Sequence, residues 1–436
     1  MRTFFSVAPL LLAIPFVSHA QAQRPAASGP ALAPSVAAFL EQFDETGTGS
    51  VSREQFLAFR QQRYAQTDEN RDGAVDEDEY VNEYLARLDT RLEKARAGHV
   101  AQTRTRFDAL DVDKDGRVSR AEFGAAGERT WSGYQKLLAE GVPFIVTLAD
   151  DATTLALADQ AGDKALVLNA RARGDALRGK DCRANVIHAA PSQAMLTDAL
   201  AQFLMWKKWP NWFLVAGSHP EDIALADAYR RAATKFGAKI VEERTYEDTG
   251  GSRRSDSGHV QVQQQMPVFT QRAAEHDVLI AADENGVFAE WLPYETWDAR
   301  PVAGSAGLVP RSWAPSLEAW GATQFQNRFE KLATRPMREE DYQTWIALRM
   351  IGESATRTQS TDPATLKQFM LSDKFEVAGF KGQKLTIRDW DHQLRQPILL
   401  ATPTVTASVS PQDQYLHQSS ALDTLGIDRP ETECQF

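Results

Sequence analysis

The stretch WFLVAGSHPEDIALADAYRRAATKFGAKIV, residues 212–241, decides the fold of most of the chain. The apolar run Trp212–Ala216 reads as a buried strand, Glu221–Phe236 as an amphipathic helix and Lys239–Val241 as a second strand. Strand, helix and strand in succession predict a parallel sheet covered on both faces.

The same alternation continues in both directions. Further strands are expected at Pro143–Leu148, Ala165–Leu168, Val278–Ala281 and Val302–Gly304. Helices are expected at Trp131–Glu140, Thr153–Ala161, Ser192–Lys208, Pro267–Glu275, Val287–Trp291, Ser316–Leu332 and Glu339–Thr356. Pro267 would take the first position of its helix, where no backbone N–H is needed. From Phe375 onward the chain reads as short extended segments, and Gly250–Gly258 as a polar surface loop.

Before Trp131 the pattern changes. Residues 36–129 are helical in period, interrupted by acidic breaks that contain glycine. One break is Asp68-Glu-Asn-Arg-Asp-Gly-Ala-Val-Asp-Glu-Asp-Glu79, and another is Asp111-Val-Asp-Lys-Asp-Gly-Arg-Val-Ser-Arg-Ala-Glu122. Hard cations need six to eight oxygen ligands, supplied from positions 1, 3, 5, 7, 9 and 12 of such a loop, with glycine at position 6 for the sharp turn. The first set is Asp68, Asn70, Asp72, the Ala74 carbonyl, Asp76 and Glu79. The second is Asp111, Asp113, Asp115, the Arg117 carbonyl, Ser119 through water, and Glu122. A lone acidic loop is usually a solvated turn, but two full matches between helical patterns resemble EF-hands. The segment Asp44–Gln55 keeps Asp44, Gly49 and Val51 but carries Thr46, Thr48 and a closing Gln55, so it reads as a degenerate partner hand. Calcium is the expected ion. A lanthanide is the alternative, because Asp76 adds a carboxylate at position 9 and the short offset between the first two loops resembles periplasmic lanthanide-binding proteins of the lanmodulin type. Those carry proline at position 2, where this chain has Glu45, Glu69 and Val112.

Arg2, the apolar run Phe4–Val17 and the small residues of Ser18-His19-Ala20 and Ala20-Gln21-Ala22 form a secretory signal. The run is short for a bilayer and is broken by Pro9 and Pro15, so no membrane insertion is expected after its removal. The expected plan is signal 1–22, linker 23–35, cation-binding helical domain 36–129 and α/β domain 130–436, in a periplasmic location. A net charge of −11 argues against a nucleic-acid partner. Two cysteines, Cys182 and Cys434, meet an oxidising compartment, where they can form a disulfide or remain two buried thiols.

The segments Asn185–Ser192, Trp209–Tyr246 and Val278–Arg311 resemble the second lobe of a type I periplasmic binding protein. Distinctive stretches are Leu177-Arg-Gly-Lys-Asp-Cys-Arg-Ala-Asn185, Ala194-Met-Leu-Thr-Asp-Ala-Leu-Ala-Gln202, Pro301-Val-Ala-Gly-Ser-Ala-Gly-Leu-Val-Pro310, Leu394-Arg-Gln-Pro-Ile-Leu-Leu400 and Leu422-Asp-Thr-Leu-Gly426. From about Trp131 to Phe436 the chain resembles the ABC-transporter substrate-binding family associated with PQQ-dependent alcohol dehydrogenase systems. The resemblance implies a Cys182–Cys434 disulfide and, as partners, an ABC permease or a PQQ alcohol dehydrogenase system. A type I first lobe opens with a strand-helix-strand unit, and here the helical region stands in its place. The expected architecture is therefore multidomain, an α-helical EF-hand domain followed by a type I α/β domain with an incomplete first lobe.

Open α/β sheets place ligands at the carboxyl ends of their strands, which nominates Asn169, Ser218, Asp283 and Glu284 as cleft residues. The competing reading of the four is ordinary loop polarity. Trp206, Trp209 and Trp212 read as packing at a helix–strand junction. No nucleophile elbow, H-E-x-x-H, P-loop or dinucleotide fingerprint is present, so the chain is not expected to be an enzyme.

Overall fold

The computed structural model describes residues 48, 50–76, 78–83, 85, 86, 104, 131–248 and 262–436. The chain forms two compact units, Met1–Gly127 and Glu128–Phe436. The expected signal, the linker, the loop Asp111–Glu122 and the polar segment Gly250–Gly258 lie outside the described residues, as does most of the first half of Asp44–Gln55.

In the first unit, helix α1 spans Arg53–Thr67. Ser52 Oγ accepts the Gln55 N–H at 3.1 Å, and Gln55 Oε1 accepts the Ser52 N–H at 2.7 Å, a reciprocal capping box. Gln55, read from sequence as a failed metal ligand, is thus a helix cap. The helix ends at Asp68, which opens the acidic loop, and the chain is helical again from residue 78.

The second unit opens with helix over residues 131–139. Strand β1 (Phe144–Thr147), helix α2 (Asp151–Ala161), β2 (Leu166–Asn169) and β3 (Val186–His188) follow. The three strands are parallel in the order β1-β2-β3, with Ile145 opposite Val167 and Val167 opposite Val186. One face of this sheet packs on α2 and on Trp131, Tyr134, Leu137 and Leu138. The other packs on the later helices α6–α8.

Helix α3 (Gln193–Trp206) leads to a second sheet built from β4 (Asn211–Gly217), β5 (Lys239–Tyr246), β6 (Val278–Ala282) and β7 (Val302–Gly304). Its order is β5-β4-β6-β7 and all its pairings are parallel. Helix α4 (Pro220–Phe236) joins β4 to β5; Pro220 sits in its first turn, and Gly237 at φ 78° ends it in the left-handed conformation that a side chain resists. Helix α5 (Val262–Thr270) precedes β6. Strand β8 (Val309–Arg311) then brings the chain back to the first sheet, over which α6 (Ala322–Ala333), α7 (Glu339–Thr358) and α8 (Pro363–Met370) pack. Short antiparallel strands close the fold: β9 (Val377–Ala378), β10 (Lys384–Ile387), β11 (Leu394–Arg395), β12 (Ile398–Ala401) and β13 (Thr406–Ser410). Strand β12 links the two lobes through its two faces. Ile398 and Leu400 enter the core of the second lobe, while Leu399 and Ala401 enter that of the first.

Several expectations are corrected. Residues 185–192 do not belong to the second lobe, because β3 pairs with β2 in the first sheet. Pro267 lies inside α5, which ends at Thr270 and does not run to Glu275. Helix α6 starts at Ala322, six residues after the expected Ser316. Strand β5 runs on to Tyr246, and β3 and α8 were not anticipated.

Candidate functional site

The acidic loop is built from α1 outward. Gly73 adopts φ 87° at the sixth position, the conformation that requires glycine there. Asp68 Oδ2 accepts the Gly73 N–H at 3.0 Å and Oδ1 accepts Asp72 N–H at 3.1 Å. Asn70 Oδ1 accepts Asp72 N–H at 2.8 Å, and Asp72 Oδ1 accepts Ala74 N–H at 2.8 Å. Glu79 reaches back, with Oε1 on Asn70 N–H at 3.1 Å and Oε2 on Asp76 N–H at 3.2 Å. Asp76 Oδ1 accepts the Glu79 N–H at 2.9 Å, and Tyr64 Oη donates to the Gly73 carbonyl at 3.0 Å.

Asp68 and Glu79 are each only 8% exposed, and neither has an ion-pair partner among the described residues. Buried carboxylates without a counter-charge are unfavourable, so this donor set, all oxygen and short of positive charge, fits a hard cation. Their oxygens grip backbone N–H groups here, and no cluster of three or more His, Cys, Asp or Glu side chains in metal-holding geometry occurs among the described residues.

The cleft nominees divide. Asn169 is fully buried; its Oδ1 accepts Arg171 and Ala172 N–H at 3.0 and 2.8 Å, and its Nδ2 donates to the Ala172 carbonyl at 2.8 Å. Asp283 accepts the N–H groups of Val287, Phe288 and Ala289 at 2.8, 2.7 and 2.7 Å. Ser218 Oγ accepts Asp248 N–H at 3.1 Å. Asn169 and Asp283 hold their own loops, Asn169 also lying 3.0 Å from His188 Nδ1, while Ser218 ties the end of β4 to the segment after β5. Glu284 differs: its carboxylate lies 3.9 Å from Arg173 Nη1, so it reaches from the second lobe toward the first.

Arg173, which sequence reasoning passed over, is the centre of that contact. Its Nη2 lies 3.3 Å from Glu339, and Glu339 also takes Arg311 at 3.3 Å, Ser312 N–H at 2.7 Å and Ser312 Oγ at 3.0 Å. Burial works against the Arg173 charge, but Glu339, Glu284 and Glu340 outweigh it and raise its pKa above the usual arginine value. The residue's only sequence signal is its place shortly after the carboxyl end of β2. Lys381 is a second residue that the sequence did not flag. It is buried, donates to Gln396 Oε1 at 2.7 Å and the Pro397 carbonyl at 3.1 Å, and burial drives its pKa well below the usual lysine range.

Cys182 and Cys434 form a disulfide with 5.7 Å between their Cα atoms. Trp212 is buried and donates its indole N–H to the Trp209 carbonyl, as a packing role requires, whereas Trp206 is exposed and lies under the Lys207 ammonium.

A family model described as periplasmic binding protein matches residues 118–407, and an EF-hand model matches residues 103–125, which span Asp111–Glu122. No curated protein matches the chain. Among solved structures, a periplasmic binding protein from Burkholderia mallei is 14% identical, covering 70% of this chain and 83% of its own, with a TM-score of 0.53. An amino acid ABC transporter substrate-binding protein from Pseudomonas fluorescens Pf-5 is 15% identical over 70% and 84%, also at 0.53. A leucine-, isoleucine-, valine-, threonine- and alanine-binding protein from Brucella ovis, in its closed conformation, is 14% identical over 66% and 78%, at 0.53. At such identities the likeness is one of fold.

Proposed function

The chain belongs to the periplasmic binding protein family, and from that premise we propose that it is a periplasmic calcium-binding accessory protein of an ABC transport or PQQ-dependent alcohol oxidation system, and not an enzyme. The observation that carries the cation reading is the loop Asp68–Glu79, with its two buried carboxylates that have no ion-pair partner among the described residues, and its left-handed glycine. The link to alcohol oxidation is supported by the sequence resemblance alone. The loops Asp68–Glu79 and Asp111–Glu122 would hold one ion each.

A terbium luminescence titration of the mature protein, with calcium as competitor, tests this reading. Two sites are expected, with Glu79→Gln and Glu122→Gln each removing one. An unchanged stoichiometry in both variants would sink the loop assignment. Displacement of terbium by micromolar calcium identifies a calcium protein; resistance to millimolar calcium identifies a lanthanide protein.

A second reading is favoured by Arg173. In it, the binding-protein fold has lost its small-molecule ligand in the cleft and works as a calcium-stabilised interaction module. Its support is that Asn169, Ser218 and Asp283 are each engaged by backbone N–H groups of the protein while Arg173 joins Glu284 to Glu339. Small-angle scattering of Arg173→Met, expected to show a larger radius of gyration than wild type, checks that the pair holds the lobes together.

A further inference from the structure

Strand β1 leaves one edge open. In a parallel pairing, alternate residues turn their backbone groups toward the neighbouring strand and the others turn away. Leu166 and Ala170 donate to the Pro143 and Thr147 carbonyls, each at 2.9 Å, so Ile145 between those two also faces β2. Phe144 and Val146 therefore direct their N–H and C=O groups to the free side, and among the described residues those groups have no hydrogen-bond partner. The free length is bounded at both ends. The Val142 N–H is bonded to the Leu137 carbonyl at 3.0 Å, and the Leu148 carbonyl accepts Arg171 Nη1 at 3.3 Å. No charge lies on the strand to discourage pairing.

The surface beside this edge is apolar with two charges. Phe144 and Val146 pack with the core under α6–α8, and Ile145 packs on the opposite face. On the α6–α7 side, Leu148, Leu332 and Leu348 are 44%, 87% and 56% exposed and share one groove with Arg328 and Glu340. Arg328 and Glu340 are both exposed, and neither has a hydrogen-bond or ion-pair partner among the described residues. A partner of one sign would satisfy one of them and oppose the other. A copy of the same surface carries both signs and satisfies both.

We propose that β1 is a self-association edge, which pairs antiparallel with β1 of a second copy about a two-fold axis at Ile145. This register sets Phe144 opposite Val146 of the second copy, and Val146 opposite Phe144, so each pair exchanges both of its N–H···O bonds. Registers centred on Phe144 or Val146 would instead call on Val142 or Leu148, whose groups are already engaged. An axis of this kind stands perpendicular to the sheet. The α6–α7 faces of the two copies then lie on the same side, and their grooves meet across the axis. The same patch serves both copies, as a closed two-fold contact requires. The exposed leucines cover one another, and Arg328 of each copy pairs with Glu340 of the other.

Sedimentation velocity of the full-length mature protein over a concentration series tests the assignment. Wild type should behave as a reversible monomer–dimer system. Val146→Pro removes an N–H that faces away from β2, a change an edge strand tolerates, and should abolish the dimer. Arg328→Glu and Glu340→Arg sit at exposed positions where the fold is not at stake. Each should weaken the dimer about tenfold, because each change acts twice across the axis. The double variant Arg328→Glu, Glu340→Arg should recover wild-type affinity, which a loss through misfolding would not do. A wild type that is monomeric at every concentration overturns the proposal. So does a dimer that Val146→Pro leaves intact, or a double charge variant no tighter than the single ones. Slow amide exchange at Phe144 and Val146 in a monomer would assign the edge to another segment of the same chain, and the proposal falls.

Discussion

Asp283 shows how a polar residue at a strand end is divided between function and structure. Its two oxygens accept three consecutive backbone N–H groups, and at 4% exposure water cannot replace them. Asp283→Ala should therefore cost at least about 3 kcal/mol in chemical denaturation, since each buried orphan costs about 1–3, while the number of bound cations stays the same. A loss below 1 kcal/mol would show that the loop finds other partners. His392 offers a second residue-scale test. It is buried, stacks on Phe436 at 3.9 Å and lies 2.9 Å from the Val186 carbonyl. Burial lowers its pKa from 6.5 to about 4, and buried His188 is lowered as well. The folded state thus binds these protons more weakly than the unfolded chain. Stability is complete above pH 6.5 and falls as pH drops toward 4, by about 3 kcal/mol for His392, at 1.36 kcal/mol per pKa unit. Melting scans from pH 7 to 4 should show that decline, and His392→Gln should make it shallower, with His188 accounting for a remainder.

At the scale of elements, the two sheet edges contrast. β5, at the edge of the second sheet, alternates exposed and half-buried residues and carries Lys239, Glu242, Glu243 and Arg244, the charges that discourage further pairing. β1 is Phe-Ile-Val-Thr, the composition of an interior strand, and among the described residues it pairs only with β2. β12 is the element on which both lobes depend. Leu400→Ala, at a position with no exposure, should cost about 2–5 kcal/mol in the denaturation midpoint, with no change in cation stoichiometry. The tail is tied down by Cys182–Cys434, which spans 252 residues. On the loop-entropy model such a staple contributes roughly 5 kcal/mol at most. The double variant Cys182→Ser, Cys434→Ser should melt measurably lower than wild type, and equal melting would show that the tail is held by its other contacts.

For the whole molecule, two compact units predict two calorimetric transitions. Calcium in hundredfold excess over its dissociation constant adds about 2.7 kcal/mol per independent site to the state that binds it. The transition of the N-terminal unit should therefore rise with calcium and fall with chelator, while that of the binding-protein unit stays fixed. A single transition that moves as one would mean that the units unfold together.

The sequence by itself determined the features whose ligands or period are local. The turn within Asp68–Glu79 was legible because its residues lie within twelve positions and the backbone there requires glycine at Gly73. The strands β1, β2, β4, β6 and β7 were legible because strands buried on both faces read as apolar runs. The tertiary structure alone decided which sheet takes residues 186–188, because composition does not say which neighbour a strand pairs with, and here it is β2. It also gives the cleft nominees their partners. Asn169, Ser218 and Asp283 stand at strand ends, and each accepts a backbone N–H: Asn169 and Asp283 within their own loops, Ser218 from Asp248 after β5. Arg173, Glu284 and Glu339 are far apart in sequence, and only folding brings their charges within reach of one another.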